Sequence, residues 1–145
     1  MAEADGKKLR RDLGKELRKA AEPIVLDARA NILGMASSSR GQRVPLRATI
    51  AREVKVQTRW TGKTTGVRIR VGKRKMPRDF RNAPKRLNSG RGWRHPVFGD
   101  VDTWVQQNGR PSWFHDATRA NRPEVKRAVL RAMNAAVQRI GGAGK

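Results

Sequence analysis

The chain has no cysteine, which excludes disulfides, thiolate metal sites and a cysteine nucleophile together and leaves its redox compartment open. It has two histidines, His95 and His115, and neither stands at a ligand spacing from the other or from a cysteine pair. No metal and no other cofactor is therefore expected. No apolar run approaches the roughly 18 to 20 residues that a membrane span requires. The opening Met1-Ala2-Glu3-Ala4-Asp5 carries acids and lacks the apolar stretch of a secretory signal, so synthesis in the cytoplasm, with no membrane insertion, is the expectation. A Gly-x-Ser-x-Gly elbow, a Glu-rich cluster and a complete phosphate-binding loop are also missing. Gly62-Lys63-Thr64 resembles the end of such a loop, but the earlier glycine is absent, and a hairpin turn is the simpler reading. The chain is read as a non-enzyme.

Acid is scarce as well. Twelve Asp and Glu stand against 34 Lys and Arg in 145 residues, a formal charge of +22. The surplus is concentrated, because residues 40–94 hold eighteen Lys and Arg against only Glu53 and Asp79. Like charge at this density repels itself and destabilises a compact state unless counter-charge is near. A negative partner is implied, either a nucleic acid held through phosphate contacts and counterion release or an acidic protein surface held through ion pairs. The sequence leaves both open.

What is present reads as one α+β domain over residues 1–145, with two helices packed on a small antiparallel sheet made of a central β-hairpin and short strands, and with long basic loops. Leu9, Leu13, Leu17, Ala20, Ile24, Ala28 and Ile32 recur at three and four, which places an N-terminal helix over 5–34, kinked or split at Pro23. A breaker-rich basic loop follows over 35–47. Residues 48–72 read as the hairpin, with Val54, Val56 and Thr58 and then Val67, Ile69 and Val71 alternating with polar and basic residues. A second basic loop runs over 73–93, with Phe80 and Leu87 as its anchors and a short helical turn near 84–88. Short strands lie within 94–107, and a C-terminal helix within 113–141, with a break near Asn121 to Pro123. The basic residues expected to meet the partner are Arg40, Arg43, Arg47, Arg68, Arg70, Lys73, Arg74, Lys75 and Arg78. Trp93, Phe98, Trp104, Trp113 and Phe114 lie within 22 residues, and packing is favoured for them over stacking on exposed bases.

The stretch His95-Pro96-Val97-Phe98-Gly99, then Trp104-Val105-Gln106-Gln107, then Gly109-Arg110-Pro111-Ser112-Trp113-Phe114 resembles a signature of the head-to-tail neck proteins of long-tailed bacteriophages. These are also described as tail-completion or minor tail components. The order of elements over about residues 7 to 140 is similar too. The resemblance implies a structural virion protein at the head–tail interface, arranged as a homo-oligomeric ring, usually sixfold, that joins the portal side to the tail tube and lets DNA pass. Its partners would be the neighbouring neck rings, with contact to genomic duplex DNA as a further expectation. On this resemblance His95, Pro96, Phe98, Gly99, Trp104, Trp113 and Phe114 are packing residues, Phe98, Trp104, Trp113 and Phe114 holding the last strands to the C-terminal helix, and no catalytic residue is implied. The second functional expectation is a basic nucleic-acid-binding protein without base-specific readout.

Overall fold

A computed structural model describes residues 2–35, 46–60, 66–97 and 100–142. In chain order the elements are α1 (Ala2–Leu33), α2 (Leu46–Glu53), β1 (Val54–Arg59), β2 (Gly66–Val71), a 3-10 turn (Arg78–Phe80), α3 (Ala83–Leu87), β3 (Trp93–Val97), β4 (Asp100–Gln107) and α4 (Trp113–Gly142). The fold is α+β with a long helix at each end. The strands form two separate antiparallel hairpins, β1 with β2 and β3 with β4, rather than joining in one sheet.

α1 runs through Pro23 as a single helix. A proline inside a helix costs about 3 kcal/mol, but Ile24, Val25, Ala28 and Ile32, just beyond it, are all buried, and the Ile and Val side chains among them return about 1.5 to 3 kcal/mol each. α4 likewise starts at Trp113 and continues through Pro123, without the expected break.

The largest departure from the sequence reading is α2. Residues 48–53, expected as strand, are helical. Leu46, Thr49, Ile50 and Glu53 repeat at three and four, and Thr49, Ile50, Ala51 and Glu53 are buried, a pattern that strand alternation cannot produce. Arg29 of α1 holds the end of this helix, its Nε donating to the Ala51 carbonyl (3.1 Å) and its Nη2 to that of Val54 (3.0 Å). A cation there meets the negative end of the helix dipole.

The core gathers the C-terminal half of α1, Ile50 and Ala51 of α2, Val54 of β1, Met76, Ala83 and Leu87, Trp93 of β3, and Trp113 and Ala117 of α4. Residues 73–93 are therefore less of a loop than expected. Met76 and Ala83 are buried along with Leu87, while Phe80 is only half-buried.

Beyond this core α1 and α4 continue side by side as an antiparallel arm. Asn31 donates to the Trp113 carbonyl (2.9 Å), Asn121 to Asp27 (2.6 Å), and Arg139 to Asp12 (3.4 Å), so one helix descends as the other rises. Leu13, Ala20, Ala128 and Ala136 line a groove of about 500 Å³ between them. The β1–β2 hairpin lies along the same helix. Arg18 donates to Thr58 (2.8 Å), and Trp60 rests on Gly14, where a Cβ would fall 2.8 Å from Cζ2 of the indole.

Candidate basic interface

The register of the first hairpin pairs Lys55 with Arg70, Gln57 with Arg68 and Arg59 with Gly66. Alternation along a strand sends these residues to one face and Val54, Val56, Thr58, Val67, Ile69 and Val71 to the other. Lys55, Gln57, Arg59, Arg68 and Arg70 are exposed. The outward face thus carries four cations around one neutral amide.

That amide has a defined role. Arg68 donates to Gln57 Oε1 through Nε (3.0 Å) and Nη2 (2.8 Å), and Arg70 donates to the same oxygen through Nη1 (3.4 Å). Two guanidinium groups are drawn together by one uncharged acceptor, which orients them without neutralising either. A phosphate or carboxylate that approaches this pair meets preorganised donors.

The basic run continues past β2. Lys73 donates to Asn82 Oδ1 (3.2 Å), while Arg74 and Arg78 are exposed. Lys75 differs, since its ammonium lies 3.9 Å from the buried carboxylate of Glu53, which also pairs with Lys55 at 3.1 Å. Glu53 sits over Gly72, where a Cβ would come within 2.5 Å of Oε2. Lys55 and Lys75 are therefore partly engaged in holding the hairpin to α2.

Arg47 is not a loop residue. It lies half-buried on α2, its Nε is buried and finds no hydrogen-bond partner among the described residues, and burial pushes its pKa down from the usual arginine value. Arg40 and Arg43 lie outside the described residues, as do Phe98 and Gly99. Of the nine basic residues singled out in the sequence, the structure brings Arg68, Arg70, Lys73, Arg74, Lys75 and Arg78 onto the first hairpin and the turn after it. Sequence reading missed Gln57, whose part depends on register, and Arg86, whose guanidinium lies 5.9 Å from the Trp93 ring centre.

The aromatic motif divides. Trp113 is 1% exposed, and its indole Nε1 donates to the Pro84 carbonyl at 3.4 Å. Phe114 is half-buried and meets Trp113 edge to face, with centroids 5.6 Å apart. Asn88 seats this corner, its side-chain oxygen accepting from the Phe114 amide (3.0 Å) and its carbonyl from the Ser112 amide (3.0 Å). It thereby satisfies an orphan donor at the start of α4. Gly109 lets the chain run against the Leu87 backbone, a site closed to any side chain.

His95 and Pro96 lie on β3, opposite Val105 and Trp104. His95 packs edge-on against Phe80 at 5.1 Å and donates from Nδ1 to the Pro96 carbonyl at 2.8 Å. Trp104, expected to hold the strands to the C-terminal helix, is instead 51% exposed, and Val101 on the same strand is 75% exposed. A two-stranded hairpin has no second layer over one of its faces. β4 begins at Asp100, whose carboxylate accepts from Asp102 N (3.0 Å) and Thr103 N (3.1 Å). The Thr103 side chain and then these amides hold its pKa below the usual carboxylate value.

Among the described residues there is no group of three His, Asp or Glu placed to hold a metal ion, and no helix is long and apolar enough to cross a membrane. No protein-family model matches this chain, and neither a curated protein nor a solved structure matches it significantly.

Proposed function

We propose that this chain is a structural component of a phage neck, a homo-oligomeric ring that joins the head side to the tail tube and lets DNA pass. The observation that carries the reading is the motif from His95 to Phe114. Its inner residues, Trp113 and Gly109, fix α4 to α3, while its outer residue Trp104 projects uncovered from the β3–β4 hairpin, as Val101 does elsewhere on β4. Exposed apolar side chains of this size suit a subunit interface. The basic hairpin face gives a second surface of different chemistry, and an assembly protein between two neighbours needs both.

The direct test is peptide mass spectrometry of gradient-purified particles from the source. Low-copy presence in complete tailed particles, with partition toward either heads or free tails, is the expected outcome. Absence from particles, heads and tails alike would overturn the proposal. In parallel, Arg74→Glu with Arg78→Glu, both at exposed positions, should leave the fold intact and block formation of tailed particles. Normal particles would remove this turn from the mechanism.

One observation favours a second reading, a phosphate-binding protein: the Arg68 and Arg70 guanidinium groups converge on Gln57 on an exposed face. For six to ten phosphate contacts, duplex affinity would fall roughly 10³- to 10⁵-fold between 50 and 200 mM salt. Absence of duplex binding at roughly 50 mM salt, or an affinity that does not change with salt, would remove it.

A further inference from the structure

α4 presents a face that α1 does not cover. Leu130, Met133, Val137 and Ile140 are each between 50 and 66% exposed and recur at three, four and three. At about 100° per residue they fall within an arc of about 80°. The same arc continues toward the start of the helix through Lys126, Arg122 and Arg119, all exposed. Three cations and then four apolar side chains thus occupy one line along one helix, turned away from the Ala128, Ala132 and Ala136 side that meets α1.

This order of side chains selects its occupant. The spacing of the apolar residues is that of a coiled-coil seam, which a second helix fills. A second copy of this chain paired in parallel would set Arg119, Arg122 and Lys126 against their own equivalents, and like charges across an interface cost several kcal/mol. Paired antiparallel over Leu130 to Ile140, it would leave these cations at or beyond the end of the other α4 at Gly142, unmatched. Nucleic acid would meet the three cations and leave Leu130, Met133, Val137 and Ile140 wet. A helix that lies on a membrane carries its cations on the face opposite its apolar residues, whereas here they share one arc.

We propose that this face of α4 docks an amphipathic helix of a protein partner, acidic over the part that meets Arg119, Arg122 and Lys126 and apolar over the part that meets Leu130 to Ile140. The inference does not depend on the neck reading, because it rests on the geometry of α4 alone.

The experiment uses the full chain and a fluorescent peptide of about three heptads with Glu at the seam positions of one half and Leu at those of the other. A control peptide carries Lys in place of Glu. Fluorescence anisotropy should show binding of the Glu peptide, weakened by salt, and at least about tenfold weaker binding of the Lys peptide. Leu130→Asp with Val137→Asp should abolish binding of the Glu peptide. Arg122→Glu with Lys126→Glu should reverse the preference to the Lys peptide. All four positions are exposed, and an unchanged melting temperature verifies that each variant is folded. Equal binding of the two peptides, or binding of neither, overturns the proposal. So does a dimer in sedimentation that the Leu130 and Val137 substitutions dissociate, or binding to anionic phosphatidylserine vesicles in place of the Glu peptide.

Discussion

Replacing Trp113 by alanine empties the place where α1, α3 and α4 meet. The indole is 1% exposed, lies in the cluster with Ala83, Leu87 and Ala117, and donates to the Pro84 carbonyl at 3.4 Å. That hydrogen bond is long, so most of the loss comes from volume. Truncating a fully buried aromatic costs about 3 to 5 kcal/mol. In a chain of 145 residues each kcal/mol moves the melting temperature by about 2 to 4 °C, so Trp113→Ala should melt about 6 to 20 °C lower. The internal control is Trp104→Ala, since the same deletion at a 51% exposed position should cost less than about 1 kcal/mol. Urea unfolding followed by far-ultraviolet circular dichroism reads both without relying on tryptophan fluorescence. Equal losses in the two variants would refute the division of the motif into a buried and an exposed part. Phe114→Ala, half-buried, should fall between them.

Three further perturbations probe other joints of the fold. Gly14→Val pushes a branched side chain into the indole of Trp60, which a Cβ alone would approach to 2.8 Å; a cost of about 1 to 3 kcal/mol and a red-shifted tryptophan emission are expected, and unchanged emission would detach Trp60 from α1. Arg29→Ala strips two donors from the Ala51 and Val54 carbonyls and should cost about 1.5 to 3 kcal/mol in urea, a wild-type midpoint arguing that water replaces the guanidinium. Raising NaCl from roughly 0.01 to 0.3 M, which shortens the screening length from about 30 Å to well under 10 Å, should raise the melting temperature by relieving repulsion among the exposed cations; a flat or falling curve would mean that the basic face is already neutralised within the chain.

The long elements were legible because their apolar spacing is periodic over many residues. Leu9 to Ile32 hold one stripe on α1, Val125, Ala128, Ala132 and Ala136 recur at three and four on α4, and the alternation from Val54 to Thr58 and from Val67 to Val71 fixes the first hairpin with its faces the right way round. α2 was not legible, because over eight residues the pair Ala48 and Ile50 satisfies a spacing of two while Leu46, Ile50 and Glu53 satisfy one near 3.6. Burial of Thr49 and Ala51, which only the folded chain reveals, decides between them. Arg47 could not be told from its neighbours by type, since its half-buried setting comes from α2. Pairing of Arg68 and Arg70 through Gln57 follows from register, which the sequence does not state. Trp104 was misjudged for a related reason. A hairpin pattern does not tell whether a further layer covers its face.

Three of the twelve acids of this chain are used where they stabilise the fold. Asp12 pairs with Arg139, Asp27 accepts from Asn121, and Glu53 anchors Lys55 and Lys75. What remains outside is of two kinds. The first hairpin offers cations with no apolar side chain among them, Lys55, Arg59, Arg68 and Arg70 around Gln57, which suits a phosphate or carboxylate surface reached through water. α4 offers cations in line with Leu130, Met133, Val137 and Ile140, which only a partner with its own apolar stripe can cover. One partner cannot match both faces by the same chemistry. Two such unlike exposed surfaces suit the proposed role, in which the protein holds two neighbours together.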